Sequence, residues 1–288
     1  MSPQTVIDDL GSTWLVTLFV WPAYVWLEWK FPLNLKQGKV PKVGQIIQDI
    51  FWDRSEAYLS PLINGSLNYF FYAYAYSQVG VVQALFHRYF PNTHISFSFE
   101  PIFFQNIFVQ FLIFFLVRDF IKYAIHLLMH RTWLWRFHIL HHSSEILNWI
   151  SMFRNHWTEA LLWNWILLLP MLLIKTPPIF IGIFSVIETQ LCFVAHANNR
   201  FNFGPFKKII NNNVAHHWHH SKENLFSGGQ NFGTILLIWD RLFGTFYYPD
   251  NNSPPPSYGV AEYNEYPSSI LKRFFYPFFK LSKKEPAP

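Results

Sequence analysis

Thirteen histidines are spread through this chain, and eight of them fall into three short groups with repeated spacing, the feature that most limits what the polypeptide can become. His126 and His130 stand four apart in YAIHLLMHR. His138, His141 and His142 form an HxxHH pattern, and His216, His219 and His220 repeat it inside HHWHHS. On a helix, residues four apart share a face, and i, i+3 and i+4 fan across a narrow arc of it. Each group is therefore expected to aim several imidazoles at one point. Imidazole suits Zn, Cu, Fe and Ni alike, and eight ligands exceed a four-coordinate structural zinc site. The economical reading is two metal ions in a histidine cage. A single histidine reads as an ordinary surface or capped core residue; the joint pattern reads as a metal centre.

Composition decides the solvent of this cage. Of 288 residues, 51% are hydrophobic, 20% aromatic and only 14% charged, against about 25% charged in a typical soluble domain. That deficit points to lipid around much of the surface. The net charge of +5 and pI near 9.2 fit positive loops beside membrane helices. Without a concentrated basic run carrying base-stacking motifs, nucleic acid is not expected as a partner. Cys192 is the sole cysteine, so no intrachain disulfide framework exists. The first ten residues are polar and acidic, and no cleavable signal peptide is expected.

The apolar runs are expected as membrane segments. Residues 12–29 would extend about 27 Å at about 1.5 Å per residue, close to the hydrocarbon thickness of about 30 Å. Pro22 should kink this helix. Lys30, Lys36, Lys39 and Lys42 follow without an acid among them, which predicts a cytosolic end. Val43 to Trp52 reads as an amphipathic segment on the membrane surface. Residues 57–80 form a weaker span, and 101–117 a clearer one that continues through Asp119 into the first histidine pair. Residues 160–174 and 177–195, joined at LIKTPPIF, read as a hairpin that enters the membrane and returns. Glu188 lies in the return helix, either as a functional intramembrane acid or as a carboxylate hydrogen-bonded inside the bundle. The predicted fold is all-α: an integral-membrane helical bundle with a cytosolic, histidine-rich helical cap holding a dimetal site. Three regions are expected: residues 1–118 with N-terminal membrane helices and an interfacial segment, 119–248 with the histidine boxes and a hairpin at about 157–195, and 249–288 as a peripheral tail.

Together, the HxxxH of His126 and His130, LWRFHxxHHS at Leu134 to Ser143, HxxHH at His216 to His220, NFG at Asn231 to Gly233 and WDRLFGT at Trp239 to Thr245 resemble the fatty acid hydroxylase and sterol desaturase superfamily of integral-membrane diiron oxygenases. The resemblance covers about Asp119 to Tyr247. It implies that His126, His130, His138, His141, His142, His216, His219 and His220 are metal ligands, with His196 in VAHAN as a ninth. His156 in RNHWTE is a near-site residue on the same grounds, and Leu127 stands where the family often has Arg. His217 is expected to face away from its neighbours, and His87 and His94 to lie on the surface of the opposite side. Because ligating imidazoles are held by carboxylates behind them, Asp119, on nearly the same helical face as His126, is the first candidate for that role. Asp240 and Glu145 come next. Asp240 reads equally as a local partner of Arg241 or a helix cap.

The resemblance further implies two iron ions (Fe2+/Fe3+), O2 as co-substrate and hydroxylation or desaturation at an unactivated C–H bond of a sterol-like or fatty acyl lipid. Zinc is a metal that a recombinant sample could carry instead. No nucleotide-binding fingerprint is present, since the glycines of SGGQNFG lack a strand-to-helix setting. A separate electron donor, cytochrome b5 or ferredoxin type with its reductase, is therefore expected on the basic cytosolic face. A bacterial inner membrane is favoured over the endoplasmic reticulum. Two rival readings keep the histidines and change the chemistry: a zinc-dependent membrane lipid hydrolase, in which metal-activated water attacks an ester, and a metal transporter.

Overall fold

Asn106 starts the helix that organises the molecule. Its side-chain oxygen accepts hydrogen bonds from Phe108 N at 2.9 Å and Val109 N at 3.2 Å, satisfying donors that the first helical turn leaves without partners. Helix α1, Ile107–Arg131, then runs for 25 residues. Along one face Phe114, Arg118, Lys122, His126 and His130 follow at steps of four, so that face changes from aromatic to cationic to imidazole. Thr132 closes the helix, its hydroxyl donating to Leu128 O and accepting from Leu134 N. The chain reverses into α2, Trp135–His142, which carries the second histidine group.

The computed structural model describes residues 22–37, 43–55, 106–163, 178–223, 229–260, 266–267 and 269–278. Within them the structure is helix, turn and irregular chain, with isolated bridges at Ile210–Leu236 and Ser221–Tyr258 in place of strands. The all-α expectation therefore holds for the described residues. No helix among them is long and apolar enough to cross a membrane. The expected span at 57–80 lies outside them, as do most of 12–29, the first part of 101–117 and most of 160–174. His87 and His94 also lie outside.

Helix α3, Pro178–His196, repeats the layering of α1 in the same sense: Phe184, Glu188, Cys192 and His196 at steps of four. The layers match across the contact. Phe114 packs on Phe180 and Phe184, with ring centroids 6.3 and 5.9 Å apart, in a core shared with Ile235. One level on, Lys122 and Arg118 pair with Glu188. Beyond that, His126 and His196 reach their respective histidine groups. The opposite side of α3 packs against the 3-10 turn Trp149–Phe153, where Phe193 and Ala197 join Trp149 and Ile150.

Helix α4, Asn213–His219, is capped by a run of three asparagines. Asn212 accepts from Val214 N and donates to Lys207 O, while Asn211 and Asn213 donate to the carbonyls of Gly233 and Asn199. These buried amides tie α4 to its neighbours on both sides. Helix α5, Ile238–Phe243, ends at Gly244, whose φ of 73° terminates the helix in the left-handed conformation that glycine adopts without a Cβ clash.

Two outer segments each have a buried side. Residues 43–55 are helical, but the buried side is Asp49 and Trp52, both 0% exposed, while Val43, Ile47 and Phe51 face outward. Asp49 is held there by Arg154 Nε at 2.6 Å. The expected peripheral tail, 249–288, packs inward where it is described: Tyr258 reaches the His217 ring, Trp52 stacks on Phe274 and Tyr276 is buried.

Candidate metal centre

All nine histidines expected as ligands are buried and brought together. They separate into two abutting groups, His126, His130, His138, His142 and His219 in one and His141, His196, His216 and His220 in the other, with each group's ligand atoms lying within 4.8 Å of one another. The groups touch through His142 and His220, ring centroids 4.3 Å apart, and through His138 and His141 at 5.1 Å. Each HxxHH motif thus serves both groups, a correction to the expectation of one point per motif. At 3.6 residues per turn, i+4 lies about 40° from i, whereas i+3 lies about 60° away on the other side. His138 and His142 accordingly enter the five-membered group and His141 the other. In α4, His216 and His220 enter the four-membered group, and His219 crosses to the first.

The ring nitrogens show which atoms face inward. His126 Nδ1 donates to Phe232 O at 2.9 Å, His219 Nδ1 to Gln230 O at 2.8 Å and His196 Nδ1 to Cys192 O at 2.9 Å. His138 Nδ1 lies 2.8 Å from Glu159 Oε1. A neutral imidazole that donates through Nδ1 has only a lone pair at Nε2. Yet His126 Nε2 and His138 Nε2 face each other at 3.1 Å, an approach of two acceptors that needs a cation between them. His130 Nε2 and His219 Nε2 are buried without any hydrogen-bond partner among the described residues. Around the second group the successive Nε2 separations are 3.1 Å (His141 to His196), 3.0 Å (His196 to His216) and 3.1 Å (His216 to His220). Metal–nitrogen bonds of about 2.1 Å at roughly right angles give such spacings. The residues present therefore fit two metal ions.

Electrostatics keep the lone pairs free. Burial, reinforced by neighbouring imidazoles, lowers the pKa of His126, His130, His141, His142, His216 and His220 well below the ordinary 6.5. Burial also brings His196 to about 4 and His219 to about 3. At neutral pH these rings are uncharged and able to ligate.

Among the described residues none of the three expected carboxylates hydrogen-bonds a cage histidine directly. Asp119 accepts from Ile235 N at 3.1 Å, Leu236 N at 3.2 Å and Trp239 Nε1 at 2.8 Å, and makes no hydrogen bond to a histidine among the described residues. Seven residues bring it back to the face of His126 but leave it about 10 Å away along the helix axis. Glu145 is exposed and outside the cage. Asp240 acts at one remove, accepting from Phe232 N at 2.7 Å, Gly233 N at 2.8 Å and Thr245 Oγ1 at 2.7 Å. It thereby fixes the loop whose Phe232 and Gln230 carbonyls orient His126 and His219. Asn231, with φ of 56°, secures the same loop by donating to Ala215 O and Tyr247 O.

Among the described residues, Glu159 is the carboxylate that reaches a cage histidine directly. It also accepts from Trp163 Nε1 at 3.0 Å, one turn further along the same helical stretch. Its place three residues after His156, in HWTE, was the available sequence signal. His156 itself lies outside both groups, with Nδ1 2.5 Å from Thr158 Oγ1 and Nε2 donating to Phe274 O at 2.9 Å. His217 faces away as expected, 2.7 Å from Tyr258 OH, with Nε2 3.2 Å from His196 O.

A cavity of about 430 Å3 opens beside the cage, touching His126 and His138 of one group and His141, His196 and His216 of the other. A substrate atom in it could approach both groups.

Residues 111–245 match the fatty acid hydroxylase family. The chain is 33% identical over 171 residues to ornithine lipid hydroxylase OlsE of Rhizobium tropici, covering 59% of this chain and 50% of that protein. It is 34% identical over 113 residues to alkylglycerol monooxygenase of Danio rerio, covering 39% and 25%, and 32% identical over 133 residues to the Homo sapiens enzyme of that name, covering 46% and 29%. The chain thus spans about half the length of the first relative and under a third of the others. No solved structure matches. The histidine motifs and this stretch of similarity support the fatty acid hydroxylase superfamily.

Proposed function

We propose that this protein is a membrane-bound, O2-dependent lipid hydroxylase with two iron ions held by the nine cage histidines. The observation that carries the reading is the close approach of His126 Nε2 to His138 Nε2, repeated around two groups of buried imidazoles. The relatives' names, a hydroxylase and a monooxygenase acting on lipids, favour hydroxylation over desaturation. Two iron ions would supply the reduction of O2 and the removal of hydrogen from an unactivated C–H bond. The balance is one C–H bond, one O2, two electrons and two protons giving an alcohol and one water. The electrons come from a separate cytochrome b5 or ferredoxin type donor.

The chain's own residues hold the imidazoles in one tautomer through Glu159 and the carbonyls of Phe232, Gln230 and Cys192. They also bury the reacting space. Fixed placement of a carbon beside the cage selects which bond is oxidised, because small displacements change rates steeply. Association with a membrane is supported by outward apolar residues on α1, among them Phe108 at 81% exposure, and by Val43, Ile47 and Phe51 on the 43–55 helix.

The test is metal analysis of the purified protein coupled to lipid mass spectrometry with O2 and an electron donor. Two irons per chain and a product heavier by one oxygen are expected. Zinc-dependent ester hydrolysis that proceeds without O2 would overturn the reading in favour of a hydrolase.

A further inference from the structure

The five-histidine group has two sides with different neighbours. The cavity is lined by His126 and His138 but not by His130 or His142. Those two rings pack instead on Trp135, with centroids 4.8 and 5.3 Å from its indole. Among the described residues, three rings other than histidine pack against the cage: Trp163, Phe232 and Trp135. Trp163 lines the cavity and Phe232 is 0% exposed, whereas Trp135 is partly exposed. A substrate in the cavity therefore meets one side of the group, and Trp135 joins the other side to the surface.

Electrons have to cross the shell around the cage. None of the nine histidines is more than 7% exposed, so a protein donor cannot touch a ligand ring. Electron tunnelling weakens steeply as the gap widens, and a packed aromatic ring carries it better than empty space or a saturated side chain. Trp135 is such a ring, in contact with two ligands at once.

The surface beside Trp135 suits a docked protein. Trp133 is 61% exposed and rests edge-on against Phe137 at 5.8 Å, and Arg131 is exposed as well. Tryptophan and arginine are the residue types that anchor protein interfaces. No ion pair of Arg131 occurs among the described residues. Glu145, the exposed acid nearest in sequence, sits by Gly259 with Lys222 as its neighbour. Arg131 also ends α1, about 36 Å along the axis from Ile107. This end faces water where Phe108, at the other end, meets lipid.

We propose that Trp135 is the electron entry of the cage, and that the donor, a small acidic one-electron carrier protein, docks over Arg131 and Trp133. This rests on the O2-dependent hydroxylase reading above and adds the route of its electrons. Each reduced carrier passes one electron across the indole to the five-histidine group and leaves oxidised. Two carriers supply the two electrons of one turnover, and no bond to Trp135 forms or breaks. Because entry and cavity lie on different sides, the carrier docks without displacing the lipid.

The test mixes the full-length, iron-loaded, oxidised protein without O2 with a pre-reduced iron–sulfur ferredoxin, with reduced soluble cytochrome b5, or with dithionite, an ion small enough to enter by the cavity. Trp135→Leu should lower the ratio of carrier-driven to dithionite-driven reduction severalfold, and Trp135→Phe should recover most of it. A packing role alone would slow both reductants together or lower the iron content, and that result overturns the proposal. Arg131→Glu should slow the carrier severalfold at low salt, with the difference shrinking as salt screens the charge. Binding of the oxidised carrier to the oxidised protein, where no electron moves, should weaken severalfold in Trp133→Ala. If Trp135→Leu does not fold, these two variants decide, and unchanged carrier rate and binding sink the idea. Lipid-vesicle binding weakened in Trp133→Ala with carrier binding intact gives this face to the membrane and also overturns it. Reduction of the wild type by dithionite but by neither carrier does the same, while leaving the hydroxylase reading intact. A wild type that dithionite too leaves oxidised overturns the hydroxylase reading, and this inference with it.

Discussion

Glu159 Oε1 stands 2.8 Å from Nδ1 of His138, and His138 Nε2 in turn lies 3.1 Å from His126 Nε2 and 3.2 Å from His142 Nε2. One carboxylate therefore orients the imidazole through which three ligands of the first group converge. A carboxylate behind a ligand fixes its tautomer and raises its basicity.

Glu159→Ala should lower metal affinity about 10- to 100-fold, the range seen when such partners are removed. Glu159→Gln should do less harm, because the amide oxygen still accepts from His138 Nδ1. Metal retention against a graded chelator separates the two variants. Equal retention by wild type and Glu159→Ala would show that His138 needs no orienting partner.

The motif HHWHH contains one histidine that the structure uses differently. His217 sits about 100° around the helix from His216, bridging Tyr258 OH and His196 O instead of entering a group. His216→Ala should reduce the metal content from two ions toward one. His217→Gln should keep both ions and cost stability of about 1–3 kcal/mol through the buried partners it leaves. Elemental analysis with thermal melting distinguishes them, and metal loss equal to that of His216→Ala would count against the assignment of His217.

The contrast marks how much of the site was legible in the sequence. Ligand residue types and spacing recur in the linear text, so the nine histidines could be picked out, including His196. The division into two groups depended on the angular offset between i+3 and i+4, which the motif contains but does not announce. Supporting partners were harder to read because they come from across the fold: Glu159 from a separate helical stretch, Phe232 and Gln230 through backbone carbonyls that have no residue code. Asp119 shares an angular position with His126 yet lies two turns away, and angle alone suggested a contact that distance forbids. In the outer helix 43–55, the apolar pattern was legible but its buried side was not, because the Asp49–Arg154 pair packs inward.

Acid should weaken the metal-free protein through the same rings. His196 and His219 have folded pKa values near 4 and 3, below the ordinary 6.5. The unfolded chain therefore binds more protons at low pH, and stability rises with pH wherever this holds. The contribution of these rings is fully present above about pH 6.5 and is lost as pH falls through about 4 to 3. Thermal melts of chelated protein should be nearly flat from about pH 7 to 8 and fall steeply below about pH 6. A melting temperature that stays constant down to about pH 4 would mean that the rings are not buried as neutral groups.

Gly233 gives a sharper test of the loop that orients His126. A Cβ placed there would lie 2.4 Å from Leu236 O and 2.8 Å from Asp240 Oδ2. Neither atom can retreat cheaply, since Leu236 N is tied to Asp119 and the Asp240 carboxylate already holds Phe232 N, Gly233 N and Thr245 Oγ1. Gly233→Ala should therefore pull the Phe232 carbonyl away from His126 Nδ1 and cost about 3 kcal/mol or more. Metal loss should fall first on the five-histidine group, because His126 and His219 take their orientation from this loop while the four-histidine group does not. Occupancy of about one ion per chain, with the remaining ion lost on a further His216→Ala change, is the expected result. Two ions retained at full affinity in Gly233→Ala would show that the loop carbonyl does not set the tautomer of His126.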